Sequence, residues 1–385
     1  VESKSFGELV KTYRKQRYWK QEDLAQSWGY SREYISQIEQ GKRKLTNDEQ
    51  VRKLANILEI PIEQLERIGK VPARIPTPVQ PQEGDNALFS ALLSPAQTTI
   101  KLSWLVWHGN SAPEIHQQLQ DLIVQLETAL TLYRGQFVKQ ALELQAYAHE
   151  MLGSMAFDQL DLQTASYHYQ EMYDIGEELQ HPDLITLASV HQADILRKRN
   201  RLETALSRFT AAEEQKWVEH ASLHVQGLFY QVRARTYTIY ASENDFLRNI
   251  EKAEAIAHDI PRTITTEADK FDLVEVLQEK AQGYTILWKP EEALKLYQQT
   301  DQMRPYRPLR DQGSYTIVKA QAHTYNGDIR TGIDYALRGI ELAQQYHSKR
   351  HIKRLQGMYD RLSVTKIGKH PLMKDLRTAL IDASK

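Results

Sequence analysis

Between residues 140 and 345, small and aromatic side chains return at fixed offsets, and this repetition limits the possible fold more than any other feature. In "AQGYTILWKPEEALKLYQQT" (281–300), Ala281 is followed by Tyr284, a turn at Lys289–Pro290, small Ala293 and aromatic Tyr297, at offsets 0, 3, 8–9, 12 and 16. Gly153, Ala156, Ala165 and Tyr169 keep these offsets, as do Ala193, Ala205 and Phe209 around the turn "KRNR" (198–201). Ala320, His323, Gly332 and Ala336 repeat them once more around "NGD" (326–328), and a weaker unit surrounds Ala234 and Tyr237. Ala165 and Ala205 are 40 residues apart. Small residues at fixed places let two antiparallel helices approach closely, while the aromatics fill the space between one pair and the next. The pattern predicts an all-α chain with about five helix pairs over 140–345, and "HPLMKDLRTALIDAS" (370–384) as a closing helix.

A chain of 385 residues has room for such an array and one further domain. The most apolar stretch, 87–107, is broken by Pro95, Gln97, Thr98, Thr99 and Lys101, so no membrane span is expected. The opening "VESKSFGELVK" has no apolar signal core, which makes cytoplasmic localisation the expectation. With no cysteine, disulfides, zinc ribbons and thiol catalysis are excluded. The net charge of −1 hides an asymmetry. Residues 1–70 hold 14 Lys+Arg against 11 Asp+Glu, and the remainder 35 against 39. A basic head on a mildly acidic body suits a protein whose head alone touches phosphate.

The head, residues 1–70, reads as five helices. Phe6, Leu9, Val10 and Tyr13 form the apolar stripe of the first, over 5–17. The second buries Leu24, Ala25 and Trp28 and stops at Gly29. Ser31 caps the third, in which Ile35 and Ile38 point inward while Arg32, Glu33, Ser36, Gln37 and Gln40 share the outward face. Gly41 ends it; "TNDE" (46–49) is a capping box for the fourth, and Pro61 opens a short fifth. Two helices joined by a tight glycine turn, the second with a free polar face, form a helix-turn-helix.

The stretch "QEDLAQSWGYSREYISQIEQGKRKLTNDEQVRKLANILEI" resembles the Xre/Cro/phage-repressor type of helix-turn-helix, matching at Gln21, Leu24, Ala25, Gly29, Ile35, Ile38, Glu39 and Gly41. The resemblance implies a lambda-repressor-like fold and a double-stranded DNA operator as partner. It places Arg32, Glu33, Ser36 and Gln37 toward base edges, where Arg favours guanine, Gln adenine and Glu cytosine. It places Gln21, Gln40, Arg43 and Lys44 on phosphates. It also implies an interior ion pair between Arg14 and Glu39, a structural role.

"VPARIPTPVQPQEGDN" (71–86) carries four prolines and is expected to be a semi-rigid linker. In the body, 87–385, Phe89, Trp104 and Trp107 are expected to pack its exit onto the first helices. The repeat offsets resemble a tetratricopeptide array with stretched helices, which implies a superhelix with a concave face that holds an extended peptide. Projection of the register gives three inward rows: Glu150, Gln231 and Gln278; Ser154, Asp194, Arg235, Gln282 and Gln321; Arg197, Thr238, Thr285 and Thr324. Such amides and alternating charges can bond a peptide backbone, or simply form a solvated face.

The combination of head and body resembles the RRNPP family of peptide-pheromone receptors. That resemblance implies a homodimeric transcription factor, switched by a short peptide inside the superhelix that shifts two heads relative to half-sites one helical turn apart. The inward rows contain no asparagine, whereas receptors of this family often grip the peptide backbone with asparagines. A rival reading keeps the DNA-binding head and has the body dock a protein. An enzyme is disfavoured: "HASLH" (220–224) and "YHSKRH" (346–351) space two histidines as metal ligands can be, but without an accompanying glutamate. No phosphate loop or nucleophile elbow occurs, so no catalytic residue, metal or cofactor is expected. A scaffold without DNA binding is disfavoured by Arg32, Gln37, Arg43 and Lys44.

Overall fold

The computed structural model describes residues 5–17, 19–28, 30–43, 45, 48–58, 60, 65, 83–109, 113–133, 135–258, 260, 271–304 and 306–383. The described residues form helices and turns, with no strand among them. The chain divides into two units, Val1–Gln80 and Pro81–Lys385.

In the first unit, α1 (Phe6–Gln16) opens on a capping box. Ser5 Oγ accepts from the Glu8 N–H at 3.4 Å, and the Ser5 N–H donates to Glu8 Oε2 at 2.7 Å, which satisfies two otherwise orphaned donors. After α2 (Gln21–Trp28), Ser31 Oγ accepts from the Tyr34 N–H at 3.1 Å and starts α3 (Arg32–Glu39). Gly41, at φ +69°, lets the chain leave α3 in the left-handed region. With α4 (Asp48–Ile57), these helices enclose Leu9, Val10, Leu24, Ile35, Ile38, Val51, Leu54 and Leu58, all buried. Each such side chain contributes roughly 1.5–3 kcal/mol of hydrophobic stabilisation. α1 lies so close to α3 that a Cβ on Gly7 would meet Ile38 O at 2.1 Å. The fifth helix expected from Pro61, the capping Thr46, Gly29 and residues 66–82 lie outside the described residues.

The second unit begins with α5 (Glu83–Gly109), so residues 83–86, expected as the end of a linker, are helical. Pro95 sits inside α5 on its exposed side, where the Ala91 carbonyl that loses its helical donor faces water. Phe89, Trp104 and Trp107 bury against α6 (Pro113–Leu132) and α7 (Val138–Asp158) in one core with Leu119, Leu126 and Met151.

Six antiparallel pairs follow among the described residues. They are α7 with α8 (Leu162–Leu179), α9 (Pro182–Lys198) with α10 (Leu202–Glu214), and, after the single turn α11 (Trp217–His220), α12 (Leu223–Ile239) with α13 (Glu243–Ala257). Then come α14 (Leu273–Ile286) with α15 (Pro290–Met303), α16 (Leu309–Tyr325) with α17 (Ile329–Gln345), and α18 (Lys349–Ser363) with α19 (Leu372–Ala383). Within the first five pairs the turn passes through one left-handed residue: Leu160, Asn200, Ala241, Trp288 and Gly327. Each turn closes with a backbone bond from the next residue to a carbonyl five positions back, such as Asp161 N to Ala156 O at 3.0 Å and Lys289 N to Tyr284 O at 2.8 Å. The small residues of the repeat are fully buried (Ala165, Ala205, Ala293), as are the aromatics (Tyr169, Phe209, Phe246, Tyr297).

The first and last parts of this unit meet. From α16, Arg310 donates to Trp107 O of α5 (3.0 Å), to Asp158 Oδ2 of α7 (2.6 Å) and to Tyr346 O (3.2 Å). Ser348 Oγ donates to the other Asp158 oxygen at 2.7 Å, and Gln159 Nε2 to His347 O at 2.6 Å. No described helix is long and apolar enough to cross a membrane.

Candidate functional site

On the first unit, α3 turns Tyr34, Ile35 and Ile38 into the core and leaves Arg32, Glu33, Gln37 and Gln40 exposed. Ser36 is half-buried and accepts from Gln40 Nε2 at 2.9 Å. Arg32 lies 3.0 Å from Glu22 on α2 in a well-exposed pair, which stabilises little but aligns the guanidinium. Arg43, just beyond α3, stacks over the Tyr34 ring at 4.4 Å, so its stem is held while its charge stays exposed. Lys44 lies outside the described residues.

Beneath this face the Arg14 guanidinium grips the Glu39 carboxylate through two bonds, 2.5 and 2.9 Å, with side-chain exposures of 8% and 3%. A third donor of Arg14 reaches Trp19 O at 2.6 Å. The hydrogen bond to Glu39 raises the Arg14 pKa against the opposing effect of burial. Gln21 is half-buried, and its amide donates to Glu39 Oε2 at 2.8 Å. Of the residues expected at phosphates, Gln21 therefore commits one donor to the interior ion pair.

The second unit contains a cavity of about 330 Å³ lined from α7, α9, α12, α14, α16 and α18. Of the expected inward residues, Ser154, Asp194, Arg197, Gln231, Arg235, Gln278 and Gln282 line it. Arg197 Nε donates to Asp194 at 2.7 Å; Arg235 forks onto Glu279 at 2.9 and 2.5 Å and lies 4.0 Å from Asp194. Burial raises the Asp194 pKa, but the fields of Arg197, Arg235 and Lys198 outweigh it and hold the carboxyl well below the usual range. Two amide atoms are left over. Gln231 Oε1 and Gln278 Nε2 are buried and have no hydrogen-bond partner among the described residues. An orphaned acceptor and an orphaned donor on one cavity leave hydrogen-bonding capacity there that the described residues do not meet.

Other expected inward residues lie elsewhere. Thr324 is fully buried, donates to Ala320 O at 2.6 Å, and faces Gly332 of the partner helix. Thr238 and Thr285 likewise back-bond to Arg235 O and Ala281 O. These three threonines, unlike Arg197 of the same row, face the interior of their helix pairs and not the cavity, because a helix rotated by one residue turns through about 100°. Glu150 is also fully buried, 3.5 Å from His191, and lines neither cavity. Gln321 lines a second cavity, of about 610 Å³, with Lys198, Arg350 and Arg354.

The sequence reading missed Arg310, Arg350 and Arg354, which line the first cavity too. A signal was present: "KRHIKR" (349–354) is a basic run on α18, a helix that the repeat offsets do not cover. The nearby histidines have structural places. His351 Nδ1 lies 2.7 Å from the Tyr346 hydroxyl in the interior, and His220 Nδ1 lies 2.8 Å from Lys216 O. No group of three or more His, Asp or Glu among the described residues is arranged to hold a metal ion.

Comparison with known proteins gives a match to a helix-turn-helix domain over residues 5–68, so the first unit is a helix-turn-helix DNA-binding domain. Among solved structures, the chain is similar to that of Bacillus thuringiensis PlcR in complex with the peptide PapR7 and DNA. The identity is 13%, the match covers 84% of this chain and 98% of that one, and the TM-score is 0.34. No curated protein matches.

Proposed function

We propose that the chain is a sequence-specific DNA-binding transcriptional regulator whose repeat unit binds a short signalling peptide and couples it to operator binding by a dimer. The helix-turn-helix supplies the reader. Arg32, Glu33 and Gln37 are exposed on α3 to meet base edges, Arg32 exchanging its surface pair with Glu22 for a base, with Ser36 behind them; exposed Gln40 and Arg43 serve phosphate, and Lys44 follows Arg43 in the sequence for the same role. Gln21 serves phosphate with its remaining N–H while holding Glu39. The observation that carries the ligand half is the cavity between inner helices with unpaired Gln231 and Gln278 amides. A peptide backbone offers both the donor and the acceptor that these groups lack.

Coupling requires the peptide to bind two shapes of the repeat unit unequally. A dimer is supported by Leu102, Leu105 and Val106, an apolar stripe at helical spacing that α5 leaves exposed. The same stripe favours the second reading, in which the repeat unit docks a protein partner. One experiment tests both halves: selection of bound DNA from a random pool by the purified chain, repeated with a random peptide library present. An enriched operator whose affinity changes with a peptide fraction is expected. Unchanged affinity with every fraction would sink the peptide switch, and no enriched sequence would sink the operator.

A further inference from the structure

The 610 Å³ cavity adjoins the first and shares Lys198, Gln282, Arg350 and Arg354 with it. Lys198, Arg350, Lys353, Arg354 and Arg361 line it, and among the described residues no aspartate or glutamate does. Two of these cations are engaged: Arg350 lies 3.4 Å from Asp158, and Arg361 donates to the Tyr325 hydroxyl at 3.1 Å. Lys198, Lys353 and Arg354 have no ion pair or hydrogen bond among the described residues. Like charges held together in a partly desolvated cavity repel one another, and the arrangement gains most when an anion enters. The strain on Lys198 is visible in its acidity. Burial first, then the fields of Arg197, Arg350 and Arg354 against that of Asp194, push its ammonium down to about 7. Beside these cations, Trp288 is 71% exposed and stacked on Tyr325 with ring centroids 4.6 Å apart, an open aromatic face at the rim.

The two cavities together are therefore polarised. One carries the orphaned amides of Gln231 and Gln278 together with Asp194 and Glu279. The other is lined by five cations and, among the described residues, no carboxylate, with Asp194 and Glu279 acting on Lys198 and Arg354 only from the first cavity. An extended ligand with backbone amides along its length and negative charge toward one end satisfies both. We infer that the cation-lined end of the channel is a carboxylate site, in which Lys198, Arg354 and Arg350 hold a terminal or side-chain carboxylate of a short peptide. The inference rests on the reading of the channel as a peptide site and adds to it the sign of the ligand.

Titration calorimetry on the full chain tests this with two acetylated hexapeptides, one alternating leucine and glutamate and one alternating leucine and glutamine, each with a free or an amidated C-terminus. The glutamate peptide is expected to bind about tenfold or more tighter than the amidated glutamine peptide, as charge-assisted bonds to a carboxylate require. The free glutamine peptide isolates the terminal carboxylate, and the amidated glutamate peptide isolates the side chains. Lys198→Gln and Arg354→Gln should each weaken the glutamate peptide about tenfold. Much of the Lys198 side chain reaches solvent although its ammonium is desolvated among the neighbouring cations, so its replacement should disturb packing little and decides the matter if Arg354→Gln lowers the melting temperature. Equal binding of all four peptides, or unaltered binding in Lys198→Gln, overturns the carboxylate site and leaves the peptide reading standing. Absence of binding by every peptide up to millimolar concentration overturns both.

Discussion

Removing the Glu39 carboxylate strands the Arg14 guanidinium in a place with 8% exposure, and also frees the Gln21 amide. Glu39→Ala should therefore destabilise the helix-turn-helix by about 3–5 kcal/mol. Its DNA-binding defect should follow the fraction unfolded in a thermal melt; a normal melt with lost binding would show that Glu39 contacts DNA directly. The pair was legible in the sequence because its two members occupy fixed places in a common motif. Lys198 was not, because its lowered pKa comes first from burial in the folded channel and then from Arg197, with Arg350 and Arg354, more than 150 positions away, adding to it. Its folded pKa, about 7, lies below the ordinary lysine value of 10.5, so the unfolded chain binds more protons between these values. Stability then rises with pH through that window, the gain beginning near 7. Binding of the acidic hexapeptide runs the other way. A carboxylate favours the charged Lys198 ammonium, so affinity should be highest below pH 7 and fall by up to about tenfold per unit above it. Lys198→Gln should flatten that profile, and a parent profile that is already flat would refute the assignment.

At the scale of helices and turns, close approach and turn geometry act in opposite directions on substitution. Gly283 of α14 lies under the Phe246 ring of α13, where a Cβ would come within 2.2 Å of Cζ. Phe246 is fully buried and has no room to retreat. Gly283→Ala gains about 1 kcal/mol of helix propensity but forces an overlap costing about 1–3 kcal/mol or more, so a net loss is expected in urea denaturation. Ala241 is exposed and sits at φ +52° in the turn between α12 and α13. Ala241→Gly removes a left-handed penalty of about 1–2 kcal/mol at an entropic cost of about 0.5–1 kcal/mol, and should raise the urea midpoint. These elements were only partly legible. Ala165, Ala205 and Ala293 marked the pairs because close packing admits little else there. Asn200 and Gly327 announce left-handed turns by residue type, whereas Leu160 and Trp288 adopt the same conformation because the pairing of their helices imposes it. The threonine row was misplaced for a related reason. Periodicity fixes which residues share a face but not which of two buried faces meets the channel, and the Thr324 hydroxyl back-bonds to its own helix without needing a ligand.

At the scale of the whole repeat unit, offsets between neighbouring pairs say nothing about how the first pair meets the last. Asp158 ends α7, yet it accepts from Arg310 and Ser348, 152 and 190 positions onward. Arg310 also lies over the rings of Trp107 and Tyr346, at 4.1 and 4.7 Å, so one guanidinium ties α5, α7 and α16 to the end of α17. Burial lowers the Arg310 pKa and Asp158 opposes that fall, while Arg350, which shares Asp158 at 3.4 Å, adds to it. Asp158→Asn removes the compensation without changing the shape. The loss should be about 3–5 kcal/mol, localised where the unit closes on itself. Hydrogen exchange should accelerate in α7 and α18 while α12 and α13, which pack only on neighbours along the array, keep their protection. Adding Arg310→Met to Asp158→Asn removes the more buried of the two cations that Asp158 compensates, leaving Arg350, and should recover part of the stability, but not the tie between α16 and the first helices. Uniform acceleration along the array in the single variant would mean that the closure is one contact among many. Acceleration confined to α7 and α18 would make it a separate joint beside the cavity that Arg310 and Arg350 line, where the proposed peptide would act.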